Sequence, residues 1–136
     1  MDNPYRIDFE GRAYSVHYPL RDKPRSITGL IGEVFHDKSY ESGGCLIHPG
    51  DTVFDGGANI GLFALYALHR GAGKVIAVEP FSGSFNFIYA NTHPYYPDSV
   101  IRIRTALWSH PLAHPNRLRF RNRHSSPSYH IAHPDQ

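Results

Sequence analysis

The segment from Asp51 to Gly61, DTVFDGGANIG, constrains the fold of this chain more than any other stretch. TVFD is short, apolar and rich in strand formers, and the glycine turn behind it opens onto NIGLFALYALHR, an apolar run suited to a buried helix. Gly71 and Gly73 follow as its stop signal. KVIAVEP then reads as a second, near-continuous apolar strand, the texture of a parallel sheet covered on both faces. Strand, helix and strand make one βαβ unit. SGSFNFIYANTH, capped by Ser82 or Ser84 and ended near Pro94, supplies a second helix, and VIRIRTALW a third strand. The core therefore reads βαβαβ, an α/β, Rossmann-like arrangement.

At 136 residues the chain fits one small domain, which buries roughly two thirds of the surface its unfolded form exposes. Residues 1–50 are expected to lead into the core, 51–109 to form it, and 110–136 to hold a loop, a basic strand and a flexible tail. YRIDFEGRAYSVHYP has the period-two texture of a β-hairpin turning at Glu10 and Gly11. In SITGLIGEVFHDKSYE, Ile27, Leu30, Ile31, Val34 and Phe35 recur at helical spacing, so a short amphipathic helix is expected there. Beyond Trp108 come a proline-punctuated loop, the alternating strand RLRFRNR, and a tail without periodicity.

Several function classes are disfavoured. No segment approaches the about 18 consecutive apolar residues of a membrane-spanning helix. The start, MDNPYRIDFE, lacks the basic stretch and apolar run of a signal peptide, so a cytoplasmic location is expected. Cys45 is alone, which excludes an internal disulfide and a cysteine zinc cluster and leaves an inert thiol as the simplest reading. Among the ten histidines, His110 with His114 and His130 with His133 have suggestive spacings, but each pair lies among prolines without an acidic or cysteine companion, so no metal is expected.

The net charge of +2 does not suggest a nucleic-acid partner. Arg102, Arg104, Arg117, Arg119, Arg121 and Arg123, with Phe120 and Tyr129, do keep a nucleic-acid-binding module open, although alternation of this kind also describes an ordinary edge strand. A non-catalytic interaction subunit is a further alternative.

A βαβ unit binds ligands outside the carboxyl ends of its strands, which places Asp55 and the turn after it at the expected site. Glu79 ends the second strand 24 residues later, on the same rim, where a carboxylate can accept from the two hydroxyls of a ribose. Both a nicotinamide dinucleotide and S-adenosylmethionine contain that ribose. Charge distinguishes them: a carboxylate beside the turn repels a pyrophosphate, whereas the ammonium and sulfonium of S-adenosylmethionine favour nearby negative charge. Gly57 and Gly61 would let backbone approach a ligand and helix pack on strand, and Asn59 tolerates unusual backbone angles.

On GEVFHDKSYE, PGDTVFDGGANIGLFALYA, KVIAVEPFSGSFNFIYAN and IRIRTALWS, from about Gly32 to Ser109, the chain resembles the FkbM-like branch of class I S-adenosylmethionine-dependent methyltransferases. The resemblance implies that Asp55, Gly57, Asn59 and Gly61 surround the amino-acid and ribose part of the donor. It implies that Glu79 holds the ribose hydroxyls and that the backbone of Ala106 and Leu107 lies near the adenine. It further implies O-methylation of a sugar or natural-product hydroxyl on a small-molecule acceptor.

Methyl transfer to a hydroxyl calls for alignment and a general base. Near the expected rim Asp51, His48 and His110 are candidates for that base, and no motif chooses among them. The family continues past the third strand with an Asp-x-x-Lys-x-Asp-x-Glu-Gly strand beside the first one, and nothing like it follows Leu107 here. If the chain is complete, TVFD is then a sheet edge, filled by RLRFRNR, by a second protomer or partner chain, or left open in a truncated form that binds donor without turnover.

Overall fold

A computed structural model describes residues 4–20, 22, 24–37 and 39–107. Strands β1 (Tyr5–Phe9) and β2 (Arg12–Val16) form the expected antiparallel hairpin, with Phe9 opposite Arg12. Its two turn residues, Glu10 and Gly11, both have left-handed backbone (φ 47 and 80), the geometry that matches the twist of paired strands.

Helix α1 (Pro24–Ile31) runs directly into a π-helical turn over Gly32–His36, where the Asp37 N–H donates to the Gly32 carbonyl at 2.8 Å. The expected single helix thus widens at Gly32. One residue is absorbed, and Val34 and Phe35 are buried with Ile27 and Ile31. A 3-10 helix over Ser39–Gly44 precedes the core.

The core is β3 (Thr52–Gly56), α2 (Leu62–His69), β4 (Lys74–Val78), α3 (Ser82–Thr92) and β5 (Val100–Ile103). The three strands are parallel in the order β3-β4-β5. Val53, Val75 and Val100 form one row across the sheet and pack with Ala64, Ala67, Leu68 and Ile88 of the helices. Helix α2 lacks a polar face because it is sandwiched: Leu62, Leu65 and Tyr66 turn instead to a second cluster made by the hairpin and α1.

Apolar strand texture suggested cover on both faces, but among the described residues α2 and α3 cover one. Both crossovers step across the sheet in the same direction, and right-handed connections then return their helices to the same side. On the other face the row Phe54, Ile76, Ile101 leaves Phe54 and Ile101 exposed. Among the described residues β3 also pairs on one side only. The strand read at RLRFRNR, Trp108, His110, His114, His130, His133 and the tail lie outside the described residues.

The hairpin is fastened to the far end of α3. Asn91, fully buried, accepts from the His17 N–H at 2.7 Å and donates to the carbonyls of His17 and Ile60 at 2.9 and 2.8 Å. The Ser15 N–H donates to the Tyr95 hydroxyl, and the Tyr14 hydroxyl lies 2.9 Å from that of Tyr96 and 2.6 Å from Nδ1 of His69. Glu10 accepts two bonds from Arg70 and lies 3.2 Å from Nε2 of His69.

Candidate functional site

Strands β3 and β4 end side by side, with Asp55 opposite Ala77 and Gly56 opposite Val78. The chain then folds over the end of β4. The N–H groups of Gly57 and Ala58 both donate to the Val78 carbonyl, at 2.8 and 2.9 Å. Gly57, Asn59 and Gly61 take left-handed backbone (φ 81, 51 and 88), which makes the turn tight enough to start α2 at Leu62.

The two glycines meet different surroundings. A Cβ on Gly61 would lie 3.0 Å from Cα of Ile88, so this glycine allows α2 to pack on α3 rather than on a strand. A Cβ on Gly57 would meet nothing within 4 Å, so the backbone there borders open space.

Glu79 directly follows β4, yet it does not stand on an open rim. It is fully buried, and each carboxylate oxygen accepts a backbone N–H: Oε2 from Asn59 at 2.8 Å and Oε1 from Phe81 at 2.9 Å. The carboxylate therefore pins the turn and sits at the start of α3, where the helix dipole favours negative charge. This also replaces the expected serine caps. Phe81 precedes the helix without a side-chain cap, and its carbonyl accepts from Ser84 and Phe85.

Asp55 is 7 % exposed, and its Oδ2 has no hydrogen-bond partner among the described residues. Burial first, and then the charge of Glu79, push its carboxyl up to about 6. Tyr40 flanks it from the 3-10 helix, with its ring centroid 4.4 Å from that of Phe63. Burial, and then the charges of Glu33 and Asp55, raise the Tyr40 hydroxyl above its ordinary value.

The segment after β5 turns back over the same end of the sheet. Ala106 is half-buried, and Cδ1 of Leu107 lies 2.8 Å from where a Cβ on Gly56 would stand. The structure thus gathers Asp55, Gly57, Asn59, Gly61, Glu79, Ala106 and Leu107 at the carboxyl ends of the strands. Tyr40 and Phe63 join them at the margin. Neither was singled out in the sequence, although both lie in the stretches that carry the family resemblance.

The base candidates separate from this cluster. Asp51 precedes β3, so it lies at the opposite end, roughly 13 Å from Asp55 along a strand rising ~3.3 Å per residue. Its carboxylate accepts from the His48 N–H at 2.8 Å, closing a turn, while its carbonyl accepts from Gly73 and Lys74. His48 and Asp51 are therefore structural at that end, and His110 lies outside the described residues.

Cys45 is exposed. Arg102 lies over the rings of Phe85 and Tyr89. A cavity of about 310 Å³ between α3 and the start of β5, lined by His93, Asp98 and Arg102 among others, is separate from the glycine turn. Among the described residues no group of three His, Cys, Asp or Glu side chains could hold a metal ion, and no helix is long and apolar enough to cross a membrane.

The parallel sheet, its two same-side helices and the glycine turn define part of a Rossmann-like class I methyltransferase fold. The Escherichia coli protein yhhF, assigned as a methyltransferase, superposes with a TM-score of 0.51 over 75% of this chain and 53% of its own, at 16% identity. In sequence the chain is 44% identical over 63 residues, 46% of its length, to 31-O-demethyl-FK506 methyltransferase FkbM of Streptomyces tacrolimicus. It is 39% identical over 66 residues to AMB antimetabolite synthetase AmbE of Pseudomonas aeruginosa. These matches span 24% and 3% of the two relatives. No family model matches. Over the matched stretch the chain is similar to the FkbM methyltransferase, of whose length it spans about a quarter.

Proposed function

We propose that the chain binds S-adenosylmethionine over the turn between β3 and α2 and serves methyl transfer to a hydroxyl of a sugar or natural product. The observation that carries this reading is the buried Asp55 carboxylate, one oxygen of which has no hydrogen-bond partner among the described residues, next to Glu79 and beside the open backbone at Gly57. A buried acid without a partner is costly alone and is suited to a cationic ligand. A pyrophosphate would add negative charge to this pair, which disfavours a dinucleotide.

In this reading Asp55 faces the cationic amino-acid portion of the donor, and Gly57 and Asn59 let the backbone approach it. Glu79, which accepts the N–H groups of Asn59 and Phe81, is the residue that the family resemblance assigns to the ribose hydroxyls, and Ala106 and Leu107 border the adenine. Bound there, S-adenosylmethionine would supply a methyl group activated by its sulfonium. The name of the FkbM relative supports an oxygen acceptor.

Calorimetric titration with S-adenosylmethionine and S-adenosylhomocysteine, with NAD as control, tests donor binding. Saturable binding that is lost in Asp55→Ala/Glu79→Ala is expected. Absence of binding by wild-type protein with a cooperative melt overturns the reading. Among the described residues β3 pairs on one side only and Phe54 is exposed, which favours a second role in which another chain covers that edge. Light scattering that returns a monomer at all concentrations would remove it.

A further inference from the structure

The hairpin meets the core through a line of polar contacts that joins three parts of the fold. Arg12 of β2 donates from Nη1 to the Tyr96 hydroxyl at 3.0 Å, and that hydroxyl lies 2.9 Å from the Tyr14 hydroxyl. Tyr14 in turn lies 2.6 Å from Nδ1 of His69 on α2, whose Nε2 lies 3.2 Å from Glu10 at the hairpin turn. Tyr14 is 1 % exposed, so its hydroxyl hydrogen has no solvent alternative. The other groups about His69 are the Phe9 ring and Arg70, which binds Glu10, the Tyr66 hydroxyl and Glu41. Arg12 and Tyr95 flank the Tyr14 ring.

Donor chemistry fixes the direction of every hydrogen in this line. The hydrogen bond with His69, and then those from Arg70, hold the Glu10 carboxyl below its ordinary value, so Glu10 is ionised and only accepts. Nε2 of His69 therefore carries a hydrogen, and in the neutral ring Nδ1 is bare and accepts the one hydrogen of Tyr14. The Tyr14 oxygen then accepts from Tyr96, whose own oxygen accepts from Arg12. A second proton on His69 reverses this order. Nδ1 now donates, the Tyr14 hydrogen turns to the Tyr96 oxygen, and the Tyr96 hydrogen is left without an acceptor in the line. We propose that this line is a proton-sensitive latch: protonation of His69 on α2 is relayed through Tyr14 to Tyr96, which strengthens the hold of α2 on Glu10 and weakens the hold of the segment after α3 on the hairpin.

The test follows the full chain, with isotope-labelled histidine and tyrosine, by nuclear magnetic resonance between about pH 5 and about pH 8. Neutral His69 is expected as the Nε2–H tautomer. The Tyr96 Cζ resonance is expected to shift with the midpoint of the His69 ring, although Tyr14 stands between them. Tyr14→Phe, which keeps the ring and removes the hydroxyl, should abolish that shift while His69 still titrates. The same variant separates His69 from His93, which lines a cavity together with Tyr96 and whose influence would survive the substitution. An Nδ1–H tautomer, a Tyr96 resonance that ignores His69, or one that still follows it in folded Tyr14→Phe would overturn the inference. Where the variant does not fold, the tautomer and the wild-type titration decide it.

Discussion

The backbone N–H of Asn59 donates to Oε2 of Glu79 at 2.8 Å, joining the glycine turn to the end of a strand 20 residues further along the chain. Phe81 completes the arrangement from the other side, at 2.9 Å. Removing the carboxylate leaves two backbone donors without their acceptor. Glu79→Ala is therefore expected to cost about 1–3 kcal/mol of stability for each stranded donor, as well as donor affinity, with Glu79→Gln milder because it keeps one acceptor oxygen. Urea denaturation of the three proteins checks the order.

Gly57 and Gly61 share left-handed backbone but differ in surroundings, so their alanine variants should fail differently. Gly61→Ala presses a Cβ onto the backbone of Ile88, so strain adds to a close contact, and a loss on the order of 2 kcal/mol or more is expected. Gly57→Ala carries the strain alone, about 1 kcal/mol, and its larger effect should be on donor binding, because the new methyl enters the open space. A thermal melt paired with a ligand titration separates the two.

Asp55 makes stability depend on pH in an unusual direction for an acid. Its folded-state value of about 6 exceeds the ordinary 3.8, so the folded protein holds this proton more tightly than the unfolded one. The contribution is complete below 3.8 and is lost as pH rises through about 6, amounting to at most about 3 kcal/mol. Glu10 acts oppositely: the hydrogen bond with His69, and then those from Arg70, hold its carboxyl below the usual value. Its contribution is present above the unfolded value and lost as pH falls through the lowered one. Asp55→Asn should flatten a stability-against-pH curve between 3.8 and about 6 and leave the more acidic limb in place.

Much of the core was legible because its signals are local. TVFD, the glycines and KVIAV sit next to one another in sequence, and a five-residue strand or an apolar helix reports its own period. The gathering of Asp55 and Glu79 at one end of the sheet followed from parallel strands alone. What stayed hidden depends on distance. Nothing near Glu79 announces that the turn at Asn59 will close over it, and nothing near Ser82 announces that a carboxylate two residues before Phe81 will displace a serine cap. Asp51 was misplaced for a different reason, since polarity near a glycine turn does not say which end of the strand it occupies.

Asn91 illustrates the long-range term. It is fully buried, ties His17 to α3 and reaches the Ile60 carbonyl in the turn region. Asn91→Ala strands two backbone carbonyls and one N–H, so a loss of several kcal/mol is expected, roughly 1–3 for each group left without a partner. Because Ile60 adjoins Asn59 and Gly61, donor affinity should fall as well, although Asn91 is not proposed to touch the ligand. Hydrogen exchange at His17 and around Ile60 should rise together in this variant.

The hairpin is made well before the residues that fasten it. The bonds from Arg12, Tyr14, Ser15 and His17 to α3 and the segment after it bridge 74 to 84 residues. At ~5–20 residues per second of synthesis, the hairpin waits roughly 4–17 s for its docking partners to be translated. During that interval the apolar side of Ile7, Phe9 and Val16, buried in the finished protein, has no permanent cover. The emerging chain is therefore expected to depend on a ribosome-associated chaperone in proportion to how slowly it is translated.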